Sequence, residues 1–138
     1  SALHMVIKRR DMGWLRYLIG NLADVNIRNF QVDEVRRKGA GIVATEIGQL
    51  LENCDLIYIS FDVDSLDCDR VSYGTGTPVP IGFSSSEIKE LLALFITTKK
   101  VCCVEFTEVN PLLDNKGNKM AETAFEILDQ LVIDLMRS

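Results

Sequence analysis

The sequence has 138 residues, 47% hydrophobic and 25% charged. That is the balance of an ordinary globular chain, and it excludes the disordered, collagenous and low-complexity classes. One domain fits the length and two do not, while a net charge of −5 argues against a nucleic-acid partner.

Ser1-Ala2-Leu3-His4-Met5 reads as an expression remnant, leaving 6–138 as a single α/β domain. No signal peptide is expected, because Lys8-Arg9-Arg10 runs straight into Asp11. Trp14, Leu15, Leu18, Ile19 and Leu22 share a helical face, predicting a helix over 12–23. Val25 to Phe30 alternates apolar and polar residues and predicts a short strand. Arg36-Arg37-Lys38 reads as the solvated start of a helix. Val35, Ile42, Val43, Ile47, Leu50 and Leu51 carry that helical period on to residue 52.

Leu56-Ile57-Tyr58-Ile59-Ser60-Phe61 is rich in β-formers and nearly all apolar, as in a parallel strand covered on both faces. Residues 65–83 hold Gly74, Gly76, Gly82, Pro78 and Pro80 without any period, predicting a long loop of the kind that carries function. Ser84 with Glu87 is a capping-box signature ahead of the stripe Ile88, Leu91, Leu92, Phe95 and Ile96. The run Leu91–Ile96 is the longest apolar stretch, far below the roughly 20 residues that cross a bilayer. Val101 to Phe106 predicts another buried strand. After the turn Asn115-Lys116-Gly117-Asn118, a helix over 120–136 would bury Ala121, Ala124, Phe125, Leu128, Leu131, Val132 and Leu135.

Alternating helices and strands imply a parallel sheet with helices on both faces, a three-layer α/β/α arrangement. Three strands would form only part of a full sheet, with two unprotected edges. Cys54, Cys68, Cys102 and Cys103 form no C-x-x-C pair, and His4 cannot complete a zinc set with them. They read as reduced, mostly buried thiols of a cytoplasmic protein.

Ligands of open α/β sheets gather at the carboxyl ends of strands. Asp62 and Asp64 stand at one such end. Two residues apart, they would share a face if the strand persists, and both could reach one hard cation such as Mg²⁺ or Mn²⁺. An acidic turn after a strand is the plain alternative. At the second end, Glu108 could pair with a cationic head group, or serve as a strand-end acid held by backbone donors. Gly74-Thr75-Gly76-Thr77-Pro78 could bring backbone and hydroxyl groups close to a ligand, but it lacks the Lys and helix of a phosphate loop.

Ser60-Phe61-Asp62-Val63-Asp64-Ser65-Leu66-Asp67, then Thr75-Gly76-Thr77-Pro78, then Glu108-Val109-Asn110-Pro111 resemble the ureohydrolase family of arginases, agmatinases and formiminoglutamases. The likeness covers roughly residues 30–136 and is greatest to the carboxyl-terminal half of an arginase. It implies an arginase-like three-layer fold and a hydrolase of C–N bonds in linear amidines. Two Mn²⁺ ions per active site would bring a bridging hydroxide onto the guanidinium of arginine, giving ornithine and urea. By motif match, Asp62 would bridge the metals and Asp64 bind one of them. Thr77 and Glu108 would line the pocket of a small guanidino substrate, with Glu108 taking the guanidinium.

Cys68 stands where the family has Pro, and the D-x-H-x-D run of the family is absent. The metal ligand set is therefore incomplete, and the chain alone is expected to be inactive. The resemblance also implies a homo-oligomer, with neither nucleic acid nor membrane as a partner. A haloacid-dehalogenase-like phosphohydrolase would share the strand ending in D-x-D, but leaves the two later motifs without a role. A non-catalytic interaction module, associating through a sheet edge, is the third reading.

Overall fold

The structure, a computed structural model, describes Leu3–Val6 and residues 28–138. Three parallel strands form its sheet in the order β1-β2-β3: Leu3–Val6, Ile57–Asp62 and Val101–Thr107. The register sets Leu3 against Ile57, and carries Phe61 against Phe106 and Asp62 against Thr107. Residues 3–5, set aside above as an expression remnant, contribute backbone to β1. The expected helix over 12–23 lies outside the described residues, as do residues 25–27 of the expected first strand. Arg28–Phe30 have no regular structure, so the strand read there is corrected.

Two helices replace the one expected over 35–52: α1, Val32–Lys38, and α2, Ala40–Leu50. Gly39 divides them at φ +88, a conformation that glycine adopts without steric cost and that interrupts the helical ladder. The Arg36–Lys38 cluster thus closes α1 instead of opening a helix, where cations suit the carboxyl end of the helix dipole. α3, Ser85–Ile96, starts on the expected capping box: Ser84 Oγ accepts from the Glu87 amide, and Glu87 accepts from the Ser84 amide.

The side chains of Ile57, Ile59 and Phe61 alternate onto one face of β2 and are buried. They share a core with Val43 of α2, with Ile88, Leu91, Leu92 and Phe95 of α3, and with Met120, Ile127 and Leu131 of α4, Lys119–Arg137. Phe106 meets Phe61 edge to face with ring centroids 5.2 Å apart. The other face carries Tyr58, Ser60 and Glu105, all half-buried. β2 is thus buried more deeply on one face than on the other.

β3 is likewise not a fully buried strand. It lies at an edge of the described sheet, and its Cys102 and Cys103 are exposed. Of the four free thiols only Cys68 is fully buried, with Cys54 between the two extremes. α4 buries Met120, Thr123, Ala124, Ile127 and Leu131, whereas Phe125, Leu128, Val132 and Leu135 face out. The helix carries two apolar stripes, and periodicity alone did not show which one meets the core.

Candidate active site

β2 ends at Asp62, where the chain turns into a single 3₁₀ turn, Val63–Ser65. Asp62 caps that turn: its Oδ1 accepts the Asp64 amide at 2.9 Å. Ser65 Oγ donates to the Asp62 carbonyl at 2.7 Å, which fastens the turn a second time. The strand does not persist to residue 64, so strand alternation does not place Asp62 and Asp64 together. The cap does.

Asp62 is buried and Asp64 is half-buried. The Asp64 carboxylate accepts one hydroxyl on each oxygen, from Thr75 and from Thr77. Thr75 is fully buried, and Thr77 is exposed. The third acid of the run, Asp67, turns elsewhere: it accepts the Asp69 amide at 3.1 Å and faces Arg70 at 3.5 Å.

Residues 65–83 form the long loop expected from sequence, threaded back onto the turn. Phe83 donates to the Ser65 carbonyl, and Asp67 donates to the Phe83 carbonyl. Cys68 donates its amide, which a proline there would lack, to Val79 O at 3.0 Å. Gly82 lies under this turn, and a Cβ there would stand 2.6 Å from Ser65 O and Leu66 C. Arg36 locks the far end of the loop. Its guanidinium meets Glu87 through two hydrogen bonds of 2.7 and 2.9 Å and also donates to Gly82 O at 2.8 Å. The Arg36 guanidinium holds the Glu87 carboxyl down at about 2.

Glu108 follows directly on β3 with φ +66, the left-handed region that non-glycine residues rarely adopt. That backbone brings its exposed carboxylate beside the loop, with Oε2 3.5 Å from the point where a Cβ of Gly76 would stand. Glu105, on the half-buried face of the sheet, accepts Ser60 Oγ at 2.6 Å and pushes the Tyr58 hydroxyl up to about 12.

The structure therefore gathers Asp62, Asp64 and Thr77 at the carboxyl end of β2, and sets Glu108 across the same loop at the end of β3. Thr75, read from sequence only as part of the Gly74–Pro78 segment, joins the site through its hydroxyl. Its signal was the alternation Thr75-Gly76-Thr77, which offers two hydroxyls from one short segment.

The arginase family model matches residues 12–133. The chain belongs to the arginase family. It is 32% identical over 122 residues to the arginase of Bacillus subtilis, spanning 88% of this chain and 39% of that one. The crystal structure of Bacillus subtilis arginase superposes with a TM-score of 0.74 at 30% identity, covering 95% of this chain and 44% of that one. Entamoeba histolytica arginase, solved in complex with L-ornithine, gives a TM-score of 0.74 at 26% identity, over 94% of this chain and 42% of that one. Trypanosoma cruzi formiminoglutamase, solved with Mn²⁺, gives 0.64 at 27% identity, over 74% and 34%.

The ureohydrolase recognition and the partial, arginase-like α/β fold read from sequence thus stand, and the phosphohydrolase reading falls away. The chain spans well under half the length of these relatives. Among the described residues, no group of three or more His, Cys, Asp and Glu side chains could hold a metal ion. A hard divalent cation takes about six oxygen ligands. Asp62 and Asp64, with both Asp64 oxygens already accepting hydroxyls, do not by themselves fit a two-metal centre.

Proposed function

We propose that this arginase-family chain supplies one side of the active site of a manganese-dependent ureohydrolase acting on L-arginine, and is inactive alone. The observation that carries the reading is the joint placement of Asp62, Asp64, Thr77 and Glu108 around a single loop at two strand ends. In that reading Asp62 and Asp64 contribute two carboxylates to the Mn²⁺ ligand set, and the remaining ligands come from outside the described residues.

Glu108 binds the substrate. A carboxylate meets a guanidinium through two parallel N–H···O bonds, which fix the plane and direction of the bound group. Held so, the guanidinium carbon has a defined position relative to Asp62 and Asp64, a contribution of proximity and orientation. Thr77 and Thr75 fix the orientation of Asp64 by occupying its two oxygens. Agmatine and formiminoglutamate hydrolysis are the neighbouring activities in the family. The arginase relatives and the Glu108-Val109-Asn110-Pro111 motif support arginine.

No described helix is long and apolar enough to cross a membrane. The exposed stripe on α4 and the edge position of β3 support homo-oligomerisation.

The test is release of urea and ornithine from arginine in the presence of Mn²⁺. The 138-residue chain is assayed alone, then mixed with the amino-terminal part of Bacillus subtilis arginase. No product is expected from the chain alone, and urea is expected from the mixture. Urea from the chain alone would refute the incomplete site, and turnover of agmatine in place of arginine would refute the substrate.

A further inference from the structure

We propose that Asp114 is a positioning residue of this site, latching the Ser72–Thr77 segment onto the start of α4 and so fixing where Thr75 and Thr77 meet Asp64. The inference rests on the reading of Asp64 as a site residue. Asp114 lies beyond Glu108, after the 3₁₀ turn Pro111–Leu113. Its Oδ2 accepts both Ser72 Oγ at 2.9 Å and the Met120 amide at 2.8 Å, while Oδ1 accepts the Lys116 amide at 2.8 Å.

Asn118, at the N-cap position of α4, makes no side-chain cap. Asp114 performs that task from four residues upstream, where a negative charge suits the amino end of the helix. One carboxylate therefore serves α4 and the loop together.

The attachment continues past Ser72, which is completely buried. Asn115 Oδ1 accepts the Tyr73 amide at 3.0 Å, and Gly74 O accepts the Asn110 amide at 2.8 Å. Gly74 lies flush against the latch: a Cβ there would stand 2.6 Å from Met120 Cβ and 2.7 Å from Asp114 Oδ2. The next residue is Thr75, whose hydroxyl reaches Asp64. Burial pushes the Asp114 carboxyl up, but the Met120, Lys116 and Ser72 donors outweigh it and hold the group below its ordinary value. Asp114 thus remains a three-bond acceptor near neutral pH.

The experiment is NMR on the 138-residue chain and its Asp114→Ala, Asp114→Asn and Ser72→Ala variants. It reads amide exchange at Thr75 and Asn110 against Ile59 and Phe61, together with the Asp64 carboxyl ¹³C resonance. Asp114→Ala should speed Thr75 and Asn110 exchange by about tenfold relative to β2 and shift the Asp64 resonance. Asn, which keeps part of the latch, should restore most of both. Ser72→Ala, which leaves the α4 cap intact, should move the same probes in the same direction, and decides the matter if Asp114→Ala does not fold. Unchanged exchange in Ser72→Ala, an Asn variant no better than Ala, or faster exchange with an unmoved Asp64 resonance would overturn the proposal. None of these readouts depends on urea release, so failure here is distinct from failure of the proposed activity.

Discussion

Thr77 donates its hydroxyl to Oδ2 of Asp64, thirteen residues earlier in the chain, and this contact ties the long loop to the end of β2. Thr75 does the same for Oδ1 from a buried position. The two threonines should therefore differ when their hydroxyls are removed. Thr75→Val leaves a carboxylate oxygen without a donor where water enters poorly, and should cost about 1–3 kcal/mol. Thr77→Val faces solvent that can replace the hydroxyl, and should cost under about 1 kcal/mol. Urea unfolding of the two variants checks this, and equal losses would contradict the burial argument.

Arg36 and Glu87 make the stability of the loop anchor depend on acid. The Glu87 carboxyl is held at about 2 against an ordinary 4.5, chiefly by hydrogen bonding from Arg36. A carboxyl depressed in the folded state contributes stability that is complete above its unfolded value and lost as pH falls through the folded one. Stability should therefore decline between about pH 4.5 and 2. With side-chain exposures of 36% for Arg36 and 28% for Glu87, solvent screening limits the contribution to about 1–2 kcal/mol. Denaturant midpoints measured across that window should fall in the wild type and flatten in Glu87→Gln.

Gly82 and Gly48 should respond in opposite ways to alanine. A Cβ at Gly82 would press into the backbone of Ser65, Leu66 and Asp67, at 2.6–2.7 Å. The strain has no flexible side chain to absorb it, and Gly82→Ala should cost more than about 2 kcal/mol. Gly48 sits inside α2 with nothing within 4 Å of the added atom. Gly48→Ala should stabilise by about 0.5–1 kcal/mol, the helix preference of alanine over glycine. Thermal or denaturant unfolding distinguishes the pair.

Much of the site was legible because its chemistry is written in short local motifs. Ser84 with Glu87 announced its helix, and the apolar run before Asp62 announced a strand ending in acid. Residues whose roles come from distant contacts were not legible. Arg36 looked like one charge in a solvated cluster, since nothing near it in sequence discloses Glu87 or Gly82. Asp114 was passed over in a turn for the same reason. The rotation of α4 was misread because the helix carries two apolar stripes, and only the packing of α3 and the sheet selects the one through Met120, Ile127 and Leu131. The strand read through Arg28–Phe30 rested on alternation alone, which irregular backbone can imitate.

The second stripe of α4 leads to a prediction of association. Phe125 is 67% exposed and Met136 84%, and Leu128, Val132 and Leu135, which lie between them in sequence, are 39–46% exposed. Sedimentation equilibrium should show a mass above the 15.5 kDa of one chain, and Phe125→Asp should lower it. A monomer at all concentrations would count against the proposed homo-oligomer.

The most direct measurement for the whole account is a calorimetric titration of the chain with Mn²⁺ near pH 8. An incomplete ligand set built on Asp62 and Asp64 predicts no saturation below about 1 mM, because affinity falls with ligand count and preorganisation. Two tight sites per chain would contradict the account, since the 138-residue chain would then hold a complete metal centre, which Asp62 and Asp64 do not form by themselves.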